Sequence, residues 1–296
     1  MADNVEILDS AEVGVTVATH ELAGNVHASK TVNINEGGSI TVRPSLDISR
    51  GLYSSLETVN KFGRSTDVDS GVDTHIWDRA NSTDTQPVWL APTAARIHTI
   101  VSSSTDDDGS PVGTGARTIE IEGLTGWSST AVAETVTMDG TSGVATANSY
   151  VIIHRMTVKT WGSAGPNVGK ITATAATDST VTAQINADEG QTQMAVYGVP
   201  STHTAYVTKY YMSAIKAASS LAVEGCMHIN TQPDSFTSGC LIKHTIGLAT
   251  EGTSYMDHEW DPHFKVVGPA IIMLAANSSA TNTDVSGGFD LILEEN

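Results

Sequence analysis

With 296 residues the chain is long enough to bury a sizeable core, as one large domain or two smaller ones, without help from disulfides. Its 33 acidic against 15 basic side chains give a formal charge of −18, and the Lys and Arg residues are scattered from Lys30 to Lys265 with no patch, which excludes a nucleic-acid binder. The longest apolar run, Ala270 to Ala276, is far short of the roughly 20 residues of a membrane span. The opening MADNVEILDS has neither a basic nor an apolar region of a secretory signal, so synthesis in the cytosol is expected.

Residues 1–58 are acidic and loosely patterned, and are expected to form an extended arm or small β subdomain that finishes its sheet on another subunit, the alternative being simple membership in the main core. Glu12 to Thr19 and Thr31 to Val42 within it have strand character, the second as a hairpin around Gly37-Gly38. Ser54 to Asp78 carries Phe62, Trp77, Lys61 and Arg64 without periodicity and reads as a structured loop. Val88 to Leu90 and Ala95 to Ser102 start a strand series, and Ser103 to Gly115 reads as an exposed acidic loop.

From Gly113 to Ala183 β-branched residues alternate with polar ones, broken by Gly, Asn, Asp and Ser. Ile119 and Ile121 alternate with Thr118, Glu120 and Glu122, the period of a strand with one wet face. Val132 to Met138 repeats the pattern and ends on Asp139-Gly140, a tight-turn signal. Tyr150 to Thr160, Lys170 to Ala175 and Thr180 to Ile185 continue the series, with a glycine-rich loop over Gly162 to Gly169. Further strands are expected at Gln193 to Val199, His203 to Ala217, Leu221 to Ile229, Cys240 to Gly247, Val266 to Ala275 and Phe289 to Leu293.

In His203 to Ala217, Tyr206, Thr208, Tyr210, Met212 and Ala214 fall on one face, and Val207, Lys209, Tyr211, Ser213 and Ile215 on the other. Both faces hold apolar or aromatic groups, so the strand is read as buried on both sides or set in a subunit contact. Ala214 to Val223 is the one weak helical candidate. This cadence of short strands predicts an all-β fold, an antiparallel β-sandwich of jelly-roll type over 59–296 with an extended N-terminal arm.

Few residues are arranged for chemistry. Asp67, Asp69, Gly71 and Asp73 place carboxylates on alternate residues, a spacing able to wrap a hard cation such as Ca²⁺, but the remaining ligands of a calcium loop are missing. Solvated carboxylates or ion pairs to Arg64 and Arg79 are the plainer reading. Asp106, Asp107 and Asp108 are consecutive and splay. Asp257, His258, Glu259, Asp261 and His263 surround Trp260, but the H-E-x-x-H spacing is missed by one residue, and a Trp-anchored loop at a contact or rim is preferred. Cys226 and Cys240 form either one bridge or two buried thiols. No G-x-S-x-G, P-loop or dinucleotide fingerprint is present. The expectation is a non-enzymatic chain with no catalytic, cofactor or metal residues.

At Val59 to Asp78 (VNKFGRSTDVDSGVDTHIWD), at Gly113 to Met156 with TGARTIEIEGLTG and ETVTMDGTSGV, and at Asn167 to Thr174 (NVGKITAT), the chain resembles virion structural proteins of marine tailed bacteriophages. The resemblance covers roughly Val59 to Lys216 and carries over no functional residue. It implies a virion component assembled in the host cytoplasm. The expected role is a capsid decoration or cement protein on the outer capsid surface, bound to the major capsid protein and to itself, as a homotrimer or else a dimer. The alternative is a tail, collar or head-fibre component that attaches to the host. A carbohydrate hydrolase is the third reading, disfavoured by an aromatic content of 5%.

Overall fold

The computed structural model of the chain describes residues 5–8, 14–17, 33–34, 40–41, 48–234 and 240–296. Contacts divide it into Met1–Arg50 and Gly51–Asn296. In the first unit β1 (Val5–Leu8) pairs with β2 (Gly14–Val17), and β3 (Asn33–Ile34) with β4 (Ile40–Thr41), all antiparallel. The β3–β4 pair is the hairpin expected around Gly37-Gly38. The rest of the expected arm lies largely outside the described residues.

Gly51–Asn296 is all antiparallel β-structure, as the alternating residues predict. Its middle third holds β7 (Arg96–Ser102), β8 (Ala116–Leu124), β9 (Ala131–Thr137), β10 (Val144–Tyr150), β11 (Ile152–Trp161), β12 (Ile171–Ala175) and β13 (Val181–Ile185). They form two sheets, ordered β10-β7-β12-β13 and β11-β8-β9. Ile119 and Ile121 from one sheet and Ile100, Ile171 and Ile185 from the other fill a common core. The Asp139-Gly140 turn is present, with Gly140 at φ 57°, a conformation that glycine adopts freely.

The remaining strands are β5 (Leu56–Val68), β6 (Thr74–His75), β14 (Val196–Val199), β15 (His203–Asn230), β16 (Leu241–Val267), β17 (Ala270–Ser278) and β18 (Thr283–Glu295). β15 and β16 are 28 and 27 residues long and pair along their whole lengths. A straight strand, rising about 3.3 Å per residue, would hold Met212 and Gly225 roughly 40 Å apart. Instead a Cβ on Gly225 would meet Met212 Sδ, and His244 and His258 stack with ring centroids 4.1 Å apart.

The hairpin is therefore folded over on itself. The fold lies where the register jumps, between the pairs Lys216↔Gly252 and Leu221↔Thr250. One layer comprises β5, β18 and the first half of β15; the other comprises β14, β17 and its second half, with β6 against β17. Tyr210, Met212 and Phe289 of the first layer and Met227, Ile246 and Leu274 of the second share one core. A third cluster around Trp77, Trp89, Ile152, Met194 and Met273 joins this sandwich to the middle one.

Several expectations are corrected. Ser54 to Asp78 is mostly strand β5, whose inward residues Lys61, Gly63 and Ser65 are polar or small and so conceal the alternation. Val88 to Leu90 forms no strand, and the helical candidate Ala214 to Val223 lies inside β15. The face assignment in His203 to Ala217 fails at a bulge between Val207 and Lys209. The extra residue, Thr208, reverses the parity, so Ala205 and Val207 are buried together with Tyr210, Met212 and Ala214.

Ser103 to Gly115 is not simply an exposed acidic loop, because Asp107 is completely buried. Its Oδ1 accepts from the backbone N–H groups of Ala116 and Val168, each at 2.8 Å. Its Oδ2 accepts from Gly169 N at 2.8 Å and Ser102 Oγ at 2.6 Å. One carboxylate thus fastens the ends of β7, β8 and the β11–β12 loop, with charge-assisted bonds that compensate its burial.

Candidate functional site

Where the middle sandwich meets the folded hairpin, a cleft of about 500 Å³ opens between β5, β8, β11 and β14. Lys61 of β5 lines it and is only 3% exposed, with Nζ donating to the backbone oxygen of His154. No acidic side chain forms an ion pair with Lys61 among the described residues. Burial, reinforced by the neighbouring Arg155 charge and partly offset by Glu122, lowers its pKa to about 7.

Beside it, His154 stacks on Tyr197 at 4.2 Å. His154 Nε2 accepts from Gly198 N at 3.3 Å, and its buried Nδ1 has no partner. Arg155 lies over the Phe62 ring at 5.1 Å and donates to Asn60 O at 2.8 Å, and it too has no carboxylate partner among the described residues. Glu57 and Glu122 stand exposed among the lining residues. Together these make a polar recess with desolvated basic groups at its floor, the setting in which binding sites are commonly found. Sequence reading missed it because its residues come from four separated strands. A lysine placed on the inward face of β5 was the only local clue.

Buried imidazoles also make stability depend on pH. Burial lowers the pKa of His75 and His154 to about 3, and that of His98 to about 4. The unfolded chain binds protons on these rings near pH 6.5 and the native chain only near 3 to 4, so stability falls as the pH drops through that window. Asp78 acts oppositely: burial and the nearby Glu189 raise its carboxyl pKa, so its contribution is complete in acid and declines as the pH rises above 3.8. Three rings outweigh one carboxyl. Urea denaturation is expected to show a loss of ~3 kcal/mol or more between pH 7 and pH 4.5, and an unchanged midpoint would refute the assignment.

The second notable surface is β16. Among the described residues it pairs only with β15, so its other edge carries unpaired backbone groups across both layers of the folded hairpin. Leu241, Ile242, Tyr255, Met256 and Val267 are exposed along it, Ile242 and Tyr255 by 57% and 58%. At its inner side His244 stacks on His258, which meets Trp260 edge to face, and Trp260 lies tilted against Phe264, while Tyr210 shares a hydrogen bond with His244 Nδ1.

The residues singled out in the sequence are mostly structural here. Asp67 is the penultimate residue of β5, and Asp69 Oδ1 accepts from Asn282 N at 3.0 Å. Asp257 to His263 is strand rather than loop: Asp257 pairs with Lys209 at 3.1 Å and His258 joins the ring stack. Cys226 and Cys240 are both free thiols, with Cys226 Sγ against Thr245 Oγ1 at 3.6 Å. Among the described residues no three His, Cys, Asp or Glu side chains are grouped to hold a metal ion.

No family model matches the chain, and no curated protein matches it. A solved structure of infectious bursal disease virus, Gt strain, aligns over 81% of the chain and 75% of its own length at 8% identity. With a TM-score of 0.18, that likeness is too slight to carry an argument.

Proposed function

We propose that this chain is a structural protein of a virion, a decoration or cement protein that assembles with copies of itself on the outer surface of a capsid. The observation that carries the reading is the 27-residue strand β16, with an edge unpaired among the described residues and with exposed apolar side chains. Charged residues such as Lys243, Asp257, Glu259 and Lys265 also lie on β16, but chains that act alone keep such edges short, whereas a subunit of an assembly completes a long one with a neighbour. The charge of −18 suits an outward surface and would be a poor lining for packaged DNA. The sequence resemblance to phage virion proteins points the same way, and a trimer is the preferred assembly.

The direct test is the oligomeric state of the purified chain by light scattering. Replacing Ile242 and Tyr255 together with Lys is expected to convert an oligomer to a monomer without changing the circular dichroism spectrum. At the level of the particle, heads carrying the protein should withstand heating better than heads without it. A wild-type monomer that leaves head stability unchanged would overturn the proposal. Loss of host adsorption with intact heads would favour the tail or collar alternative.

A further inference from the structure

We propose that the cleft between β5, β8, β11 and β14 is a binding site for a single carboxylate group, held between Lys61 and Arg155 with His154 Nδ1 as an additional hydrogen-bonding atom. This inference is independent of the assembly reading. Three observations carry it. The cleft, at about 500 Å³, accommodates a small acid or one side chain of a partner protein. Acidic residues outnumber basic ones 33 to 15 in this chain, yet Lys61 and Arg155 line one cavity with no carboxylate paired to either among the described residues. Finally, the buried Nδ1 of His154 is unsatisfied in the same recess, an arrangement that costs stability unless something fills it.

The cleft also limits what can enter. Glu57 and Glu122 repel a ligand of high negative charge, which disfavours phosphates and polyanions. A lone carboxylate on a neutral or cationic tail meets the basic floor without confronting them. The titratable and charged groups that line the cleft with Lys61 are Glu57 from its own strand, Glu122 from β8, His154 and Arg155 from β11, Tyr197 from β14 and His203 at the start of β15, and Arg155 and Glu122 are the charges that act on the Lys61 amine. Of these, Arg155 and burial favour the uncharged amine and Glu122 opposes them. An added carboxylate would reverse the balance and draw a proton onto Nζ, so binding takes up a proton.

The test uses the unmodified full chain with its lysines isotopically labelled, followed by NMR of the lysine side chains. Without ligand, the Lys61 signal should titrate near pH 7. With butyrate, or with a blocked peptide containing one Glu, its midpoint should rise by about one unit or more, and affinity should fall up to tenfold per pH unit above 7. Inorganic phosphate should have little effect. Response to butyrate identifies a free small acid as sufficient, and response to the peptide alone identifies a protein side chain as the source. In Arg155→Gln, at a half-exposed position, the Lys61 signal should no longer respond to either, and Lys61→Met should abolish the shift that both cause in the ring signals of the neighbouring His154. A Lys61 signal that is unmoved by butyrate and peptide alike would overturn the proposal.

Discussion

Asp107→Ala is expected to lower the unfolding free energy by about 4 kcal/mol or more, enough to abolish soluble expression in a protein of ordinary stability. The carboxylate is the acceptor for three backbone N–H groups and one hydroxyl, all at the buried junction of β7, β8 and the β11–β12 loop. Alanine leaves each donor without a partner, and an unsatisfied buried donor costs about 1–3 kcal/mol. Asn is not a remedy, since its amide nitrogen would face N–H groups on one side. Urea denaturation of the two variants at pH 7 measures this directly. A loss below about 1 kcal/mol for Asp107→Ala would mean that water replaces the carboxylate.

Gly63→Ala is the second large effect. A Cβ there would sit 2.4 Å from Ile76 O and 2.5 Å from Ala195 N. Those two atoms are joined to each other by a hydrogen bond of 2.9 Å, and Ile76 N in turn donates to Leu274 O at 2.9 Å. No side-chain rotation relieves a clash with paired backbone. β5 must move away from the β14 and β17 layer, at a cost of ~3 kcal/mol or more for a single methyl group. A thermal midpoint within a degree or two of wild type would refute this packing. Gly71→Ala offers a contrast, because nothing lies within 4 Å of its Cβ position and only its φ of 75° opposes the change.

Both positions show where sequence reading succeeds and where it stops. Strands β8 and β9 and the turn at Asp139-Gly140 are legible because one face is apolar, the other is wet and the turn uses glycine at positive φ. Strand β5 is hidden because Lys61, Gly63 and Ser65 point inward, which removes the apolar half of the pattern. In β15 the alternation is real, but one inserted residue at Thr208 exchanges the faces, and nothing local in the sequence announces a bulge. Asp107 looks like its neighbours Asp106 and Asp108 until the three strand ends that it binds are brought together. The cleft is illegible for the same reason, since Lys61, Glu122, His154 and Tyr197 become neighbours only through the sheets.

The doubled-back hairpin has a mechanical consequence. Because β15 and β16 each contribute to both layers, neither layer can be peeled from the other without breaking the same two strands. A pull on one face is shared at once by the opposite face, and a protease that cuts at the crease would loosen both together. Such a fold fails as a whole or not at all, which suits the reinforcing role proposed above.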